Sequence, residues 1–162
     1  TIGSIYLVAC TQIEYLPPNL KKINGSLVLA GCTNLKELPA GLTIRDNLIL
    51  INCTALEALP ENLTVGDTLN AEGCSSLTYI PPSIQLIRTR EINLAGCTSL
   101  ESVPIESIAR SPKRPLAVNI ADTNLPDDLI QQLRSIKGVL VLFNRLELSS
   151  LEDVAREFGV NA

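Results

Sequence analysis

The chain has 162 residues, 46% of them apolar, and a formal net charge of −4, so it is long enough for one folded domain with a sizeable core. It contains no histidine, which excludes Ser-His-Asp and Cys-His catalysis and every zinc site that uses histidine. Its acidic balance argues against a nucleic-acid partner, and no apolar run approaches the roughly 18 residues of a membrane span. We therefore expect neither nucleic acid nor membrane as a partner.

A sequence unit built around one cysteine recurs five times. The cysteines stand at positions 10, 32, 53, 74 and 97, so that the spacing between units is nearly constant. Each cysteine follows an alternating aliphatic stretch, such as Leu27-Val28-Leu29, and precedes an aliphatic-proline step, such as Leu38-Pro39. Alternate residues of a strand point to the same side, so Leu27 and Leu29 face a core together. A fixed period of roughly 21 residues predicts a stack of repeated units.

Two degraded copies follow the five regular ones. Residues 116–125 fit the pattern with Thr123 in place of the cysteine, and residues 139–146 fit it with Asn144 there. Seven units predict an α/β repeat fold, a solenoid with a curved parallel sheet of about seven strands. After each strand, the chain turns and runs back along the convex side of the solenoid, which we call the return side. Because a unit of about 21 residues with a fixed proline leaves no room for a long helix, we expect the return side to be mostly non-helical.

Helices are predicted only toward the C-terminus. Residues 107–110 suit a short helical turn, and residues 126–138 suit a longer helix that begins with Pro and acids and ends with Lys-Gly. Residues 149–159 suit a third helix that covers the end of the stack. We therefore predict a repeat domain over residues 1–148 and a C-terminal capping helix over residues 149–162.

The unit Leu-x-Leu-x-x-Cys-Thr/Ser-x-Leu-x-x-Leu-Pro resembles the leucine-rich-repeat family over residues 4–146. Its short period is similar to that of bacterial repeat proteins, including effectors that pathogens deliver into host cells, and its cysteine motif also resembles the longer units of plant immune receptors. The resemblance implies recognition of a host protein on the concave sheet, with localisation in the host cytoplasm or otherwise in the bacterial cytoplasm.

No catalytic residue comes with this resemblance. Some bacterial effectors of this kind attach a ubiquitin-ligase domain whose active cysteine lies in Cys-x-Asp, whereas the cysteines here read Cys-Thr-Gln, Cys-Thr-Asn, Cys-Thr-Ala, Cys-Ser-Ser and Cys-Thr-Ser. We therefore expect a protein-binding module that is not itself an enzyme. The alternative is the substrate-recognition half of a larger enzyme, such as a ubiquitin ligase, with its catalysis outside this chain.

The cysteines are interpreted as a structural row. No Cys-x-x-Cys spacing indicates a metal site, and we expect no cofactor. The position requires a small side chain that can hydrogen-bond the backbone of the turn, and we expect reduced, buried and unreactive thiols. The predicted row comprises Cys10, Cys32, Cys53, Cys74, Cys97, Thr123 and Asn144.

The outward side chains of the strands are the predicted binding surface. Apolar residues face water across the first three units, beside a strip of asparagine and glutamate, as in a protein contact. The predicted site comprises Tyr6, Val8, Val28, Ile49, Ile51, Asn70, Glu72, Glu91, Asn93 and Asn119. Two alternatives stay open: further sequence covers the apolar residues, or the asparagines form an amide ladder without a partner. Self-association through the first strand is also possible.

A basic loop carries Arg110, Lys113 and Arg114 on the longest step between units. It is interpreted as a solvated insertion, with an electrostatic contact to an acidic partner or phosphate as the rival hypothesis.

Overall fold

The structure is a computed structural model that describes residues 2–143 of the chain. The predicted capping helix at 149–162 and the position Asn144 lie outside these residues. In the described part, the chain alternates between two parallel β-sheets, and two helices occur in its last third. No helix of this part is long and apolar enough to cross a membrane.

The larger sheet has seven strands, numbered in chain order together with those of the smaller sheet. They are β1 (Ile5–Tyr6), β3 (Leu27–Val28), β5 (Leu48–Ile49), β7 (Thr68–Asn70), β9 (Glu91–Asn93), β10 (Leu116–Asn119) and β11 (Val139–Leu142). Each strand pairs in parallel with the next one, which confirms the predicted seven-stranded sheet. Leu27 and Leu29 are fully buried whereas Val28 between them is half-buried, so the alternation predicted for the strands is also confirmed.

The return side carries a second parallel sheet that the sequence pattern does not predict. Its four strands are β2 (Lys22–Ile23), β4 (Thr43–Ile44), β6 (Thr64–Val65) and β8 (Gln85–Leu86). No helix interrupts these described units, as the short period predicts. Ile23, Ile44 and Val65 are fully buried and point toward the leucines of the larger sheet, so the core lies between the two sheets.

Two helices take over the return side beyond β8. Helix α1 (Ile105–Arg110) lies at the predicted short turn, and α2 (Asp127–Ser135) lies inside the predicted span 126–138, which confirms both. Pro126 precedes α2, and acidic residues in its first turn suit the positive end of the helix dipole. Leu133 anchors α2 because its side chain is fully buried.

The register of the last strand differs from the one predicted. Val118 of β10 pairs with Val141 of β11, whereas the alignment of Thr123 with Asn144 predicts Val139 as its partner. Asn119 therefore lies beside Leu142. Because the register is displaced by an even number of residues, the same side chains still face inward and outward.

Each of the first six units leaves the larger sheet through a residue in the left-handed conformation, directly before the cysteine position. Glycine occupies this place at Gly31, Gly73 and Gly96, where φ lies between 73° and 76°. Asn52 takes the same conformation with a φ of 58°, as asparagine does more readily than other non-glycine residues. This turn directs the following cysteine back into the core.

One glycine is required for a close approach of the backbone rather than for a turn. A Cβ atom added to Gly66 would overlap the carbonyl group of Arg45, far inside van der Waals contact. Both neighbouring units would have to move apart. We expect Gly66→Ala to lower the free energy of unfolding by about 3 kcal/mol. Urea unfolding measures the loss.

Gly3→Ala is the matched control, since no atom lies within 4 Å of its added Cβ. We expect it to change the free energy of unfolding by less than about 0.5 kcal/mol. Equal stability of the two variants would contradict the close approach at Gly66.

Candidate functional site

Four thiols of the cysteine row hydrogen-bond the unit that precedes them. Each Sγ donates to a carbonyl oxygen at the end of the preceding strand: Cys32 to Leu7 at 2.8 Å, Cys53 to Leu29 at 3.1 Å, Cys74 to Leu50 at 3.0 Å, and Cys97 to Ala71 at 3.1 Å. The carbonyl of Leu29 also accepts the backbone N–H of Cys32 at 3.0 Å, within its own turn. One carbonyl thus serves the turn of its own unit and the thiol of the next.

Burial keeps these thiols protonated. Cys53, Cys74 and Cys97 are fully buried, and burial is the main cause that raises the pKa of each to about 12. Burial also raises the pKa of Cys32. Because the thiolate is the nucleophile and the metal ligand, these thiols are poorly suited to either task at neutral pH. Among the described residues, no group of three or more Cys, Asp or Glu side chains could hold a metal ion.

The row changes character at its two ends. Cys10 in the first unit is only half-buried. Thr123 occupies the corresponding place after β10, but its Oγ1 donates to the carbonyl oxygen of Ile120 at 2.7 Å, within its own unit. The bond from one unit to the one before it therefore stops after Cys97 in the described part of the chain.

The residues predicted to bind a partner all lie on the outward face of the seven-stranded sheet, which we call the open sheet face. One row of this face follows directly from the strand register and contains Tyr6, Val28, Ile49, Asn70, Asn93 and Asn119. Val8, Ile51 and Glu72 stand two residues further along their own strands, and Glu91 lies beside Thr68. The sheet thus brings together side chains that are far apart in the sequence.

The first three units make the apolar part of this face. Tyr6 and Val8 are 66% and 60% exposed, and Val28, Ile49 and Ile51 are half-buried. We call these five residues the apolar patch. Their neighbours on the face in the next units are shorter or polar, so the patch ends at β7.

The asparagines of the face satisfy their own strands rather than one another. The Oδ1 atoms of Asn70, Asn93 and Asn119 each accept the backbone N–H two residues ahead, at 3.0 Å. Asn93 also donates through Nδ2 to a carboxylate oxygen of Glu72 at 3.2 Å. The amide ladder considered from the sequence is therefore not the arrangement found, and Asn93 and Asn119 are largely buried.

Within the basic loop, Arg114 has a structural role, whereas Arg110 and Lys113 are exposed. The guanidinium of Arg114 donates to the carbonyl oxygens of Ile108, Ala109, Lys113 and Lys137 at 2.8 to 3.1 Å. It therefore satisfies carbonyls at the C-terminal end of α1 and joins that end to the following unit. No sequence motif indicates this role, because one of the carbonyls, that of Lys137, is distant from Arg114 in the sequence.

We expect Cys10 alone to react quickly with a thiol reagent in the native protein near pH 8, because the other four thiols are buried and protonated. Absorbance of the released chromophore counts the fast thiols, and concentrated guanidinium then exposes all five. Cys10→Ser should remove the fast phase. Two or more fast thiols would contradict a protected row.

We expect the stability of the protein to fall as the pH rises above 9, because the folded protein keeps the proton of Cys74 while the unfolded chain loses it. The pKa of Cys74 rises from 9.0 to about 12 on folding, so its contribution is complete below pH 9 and is lost as the pH approaches 12. Each such thiol costs about 1.4 kcal/mol per pH unit in this window. Cys74→Ala should flatten the dependence of the unfolding free energy on pH by that amount. An unchanged slope would contradict the assignment.

Compared with models of protein families, with curated proteins and with solved structures, the chain matches none. Its function is therefore inferred from the chemistry of its own residues.

Proposed function

We propose that the chain is a leucine-rich-repeat solenoid that binds another protein through the open sheet face, which is its concave side. The parallel pairing of seven strands in chain order supports the solenoid, since each unit stacks only on its sequence neighbours. The thiol bonds from unit to unit support it as well, because the same contact recurs at the same place.

The observation that carries the binding proposal is the apolar patch. Strands favour β-branched residues, which accounts for single valines or isoleucines on a solvated face. It does not account for Tyr6 and Val8, which are more than half exposed, standing next to Val28, Ile49 and Ile51. Adjacent exposed apolar side chains beside a polar strip match the composition of a protein interface, with an apolar centre and a polar rim.

The resemblance of the repeat unit to short bacterial repeats supports a narrower proposal. In this proposal the chain is the repeat domain of an effector that enters the cytoplasm of a host cell and binds a host protein there. The proposed partner is a protein rather than a nucleic acid, since the open sheet face offers no basic side chain in the described residues to contact phosphates.

A double substitution tests this function without disturbing the scaffold. Ile49 and Ile51 of the third unit correspond to Asn93 and Ala95 of the fifth, so Ile49→Asn with Ile51→Ala gives one unit the outward side chains of another without adding a charge. We expect the melting temperature to stay nearly unchanged, since the fold already accepts these residues there. Retention of host-lysate proteins on the immobilised chain, measured by quantitative mass spectrometry, should fall about tenfold or more.

Ile87→Asn is the control, because Ile87 is 49% exposed but follows β8 in the other sheet. We expect this variant to retain the same proteins as the wild type. Equal retention by the double variant and the wild type would move the binding site away from the apolar patch.

A further inference from the structure

We propose that the segment which docks on the open sheet face is basic as well as apolar. It places a Lys or Arg side chain on Glu91 and aliphatic or aromatic side chains on the apolar patch. This inference rests on the proposed function and narrows it to one class of partner.

The open sheet face carries negative charge and no positive charge in the described residues. In the described strands and the residues that continue them, the outward positions are Ser4, Tyr6, Val8, Ser26, Val28, Ala30, Asn47, Ile49, Ile51, Thr68, Asn70, Glu72, Glu91, Asn93, Ala95, Ala117, Asn119, Ala121, Leu140 and Leu142. Two of these side chains are carboxylates and none is a cation. The chain contains 13 Lys and Arg residues, so this arrangement does not follow from a lack of basic residues.

The basic residue next to Glu91 in the sequence is engaged elsewhere. Arg90 donates from Nε and Nη2 to the two carboxylate oxygens of Asp67, both at 2.8 Å. This pair is the main cause that lowers the pKa of Asp67, with smaller contributions from Arg88 and Lys113. These cations therefore gather around Asp67, at the loops that lead into the strands, where they line one cavity of about 310 Å³.

Glu91 itself stands between short neutral neighbours. Across the strands, it lies beside Thr68 on one side and Ala117 on the other. Its side chain is exposed and meets no cation within the described residues. Short neighbours leave room for a long basic side chain to reach the carboxylate, and neither neighbour neutralises its charge.

Glu72 supplies a second negative charge at the other end of the same strands. Asn93 donates to its carboxylate, and Asn70 accepts its backbone N–H, so both its side chain and its main chain are held by neighbours. Glu72 thus strengthens the negative potential of the face, whereas Glu91 makes the direct contact with the partner. A face with apolar side chains, fixed negative charge and no cation favours a basic partner and disfavours an acidic one.

The spacing allows one partner segment to reach both features. From Ile49 to Glu91 the distance is two strands across and two residues along, which corresponds to about 12 Å. Two turns of a helix, or about four residues of an extended chain, span the same length. A single segment with a basic and an aliphatic residue at that separation fits the face.

A combinatorial peptide library of known composition tests the inference. The immobilised full chain selects peptides from it, and the probe is the set of selected peptides. We expect the peptides selected by the wild-type chain to be enriched in Lys or Arg. This basic residue should lie about two helical turns or four extended residues from an aliphatic or aromatic residue. Selected peptides should bind Glu91→Lys about tenfold more weakly than wild type in low salt, and high salt should shrink that difference.

Glu101→Gln and Glu91→Gln form the matched pair, since both remove one exposed carboxylate and only Glu91 lies on the open sheet face. Weaker binding by Glu91→Gln, with unchanged binding by Glu101→Gln, supports the inference. Selection of neutral or acidic peptides, lost in the Ile49→Asn, Ile51→Ala variant, would overturn the inference and keep the proposed function. Selection that does not depend on Ile49 and Ile51 would overturn both.

Discussion

The fold depends on a buried carbonyl that needs a donor from the next unit. Leu29, Leu50 and Ala71 each directly follow a strand of the larger sheet. The carbonyl of each accepts the backbone N–H of the cysteine in its own unit and the thiol of the cysteine in the next unit. A thiol suits this place because it is small, almost apolar and still able to donate. A larger side chain would push the units apart, and an aliphatic one would leave the carbonyl with a single donor. From Cys32 to Cys97, this bond joins each turn to the one before it, in addition to backbone hydrogen bonds between turns such as that from Gly31 N–H to the carbonyl of Ile51.

The longest unit marks the place where the return side changes from strand to helix. In the steps from Cys10 to Cys97, the return segment forms only a very short strand, and these strands pair into the smaller sheet up to β8. The step from Cys97 to Thr123 is the longest, and there α1 replaces the strand. The longer step also introduces Arg114, which holds the end of α1 against the next unit. The return side stays helical in the next unit, where α2 lies between Val118 and Val141, although that unit is no longer than the one from Leu69 to Ile92 that carries β8. The larger sheet continues through this change without a break.

The sequence predicts the rows of this structure better than its short elements. Inward leucines, the cysteine positions and α2 follow from period and polarity, because burial of an alternating stripe leaves one solution. The return strands are too short for an alternating pattern to show in them. The register predicted for β11 was wrong for a related reason. Val139-Leu140-Val141-Leu142 repeats the pair Val-Leu, so a shift by two residues leaves the same residue types in the same places. The bonds from Asn70, Asn93 and Asn119 to their own strands likewise depend on a turn geometry that residue types alone do not specify.

The two halves of the open sheet face differ in how much their outward side chains contribute to the scaffold. In the asparagine half, each of the three asparagine side chains completes a hydrogen bond of the scaffold, and Asn93 and Asn119 are largely buried. In the apolar half, Val28 and Ile49 hold the same places in the register but have no polar atom to offer. The parallel backbone pairing keeps one register across both halves, and inward leucines such as Leu27, Leu48 and Leu69 pack behind it in both. Outward residues can therefore change without changing the fold, and the half that contributes least to the scaffold is the one best suited to a partner.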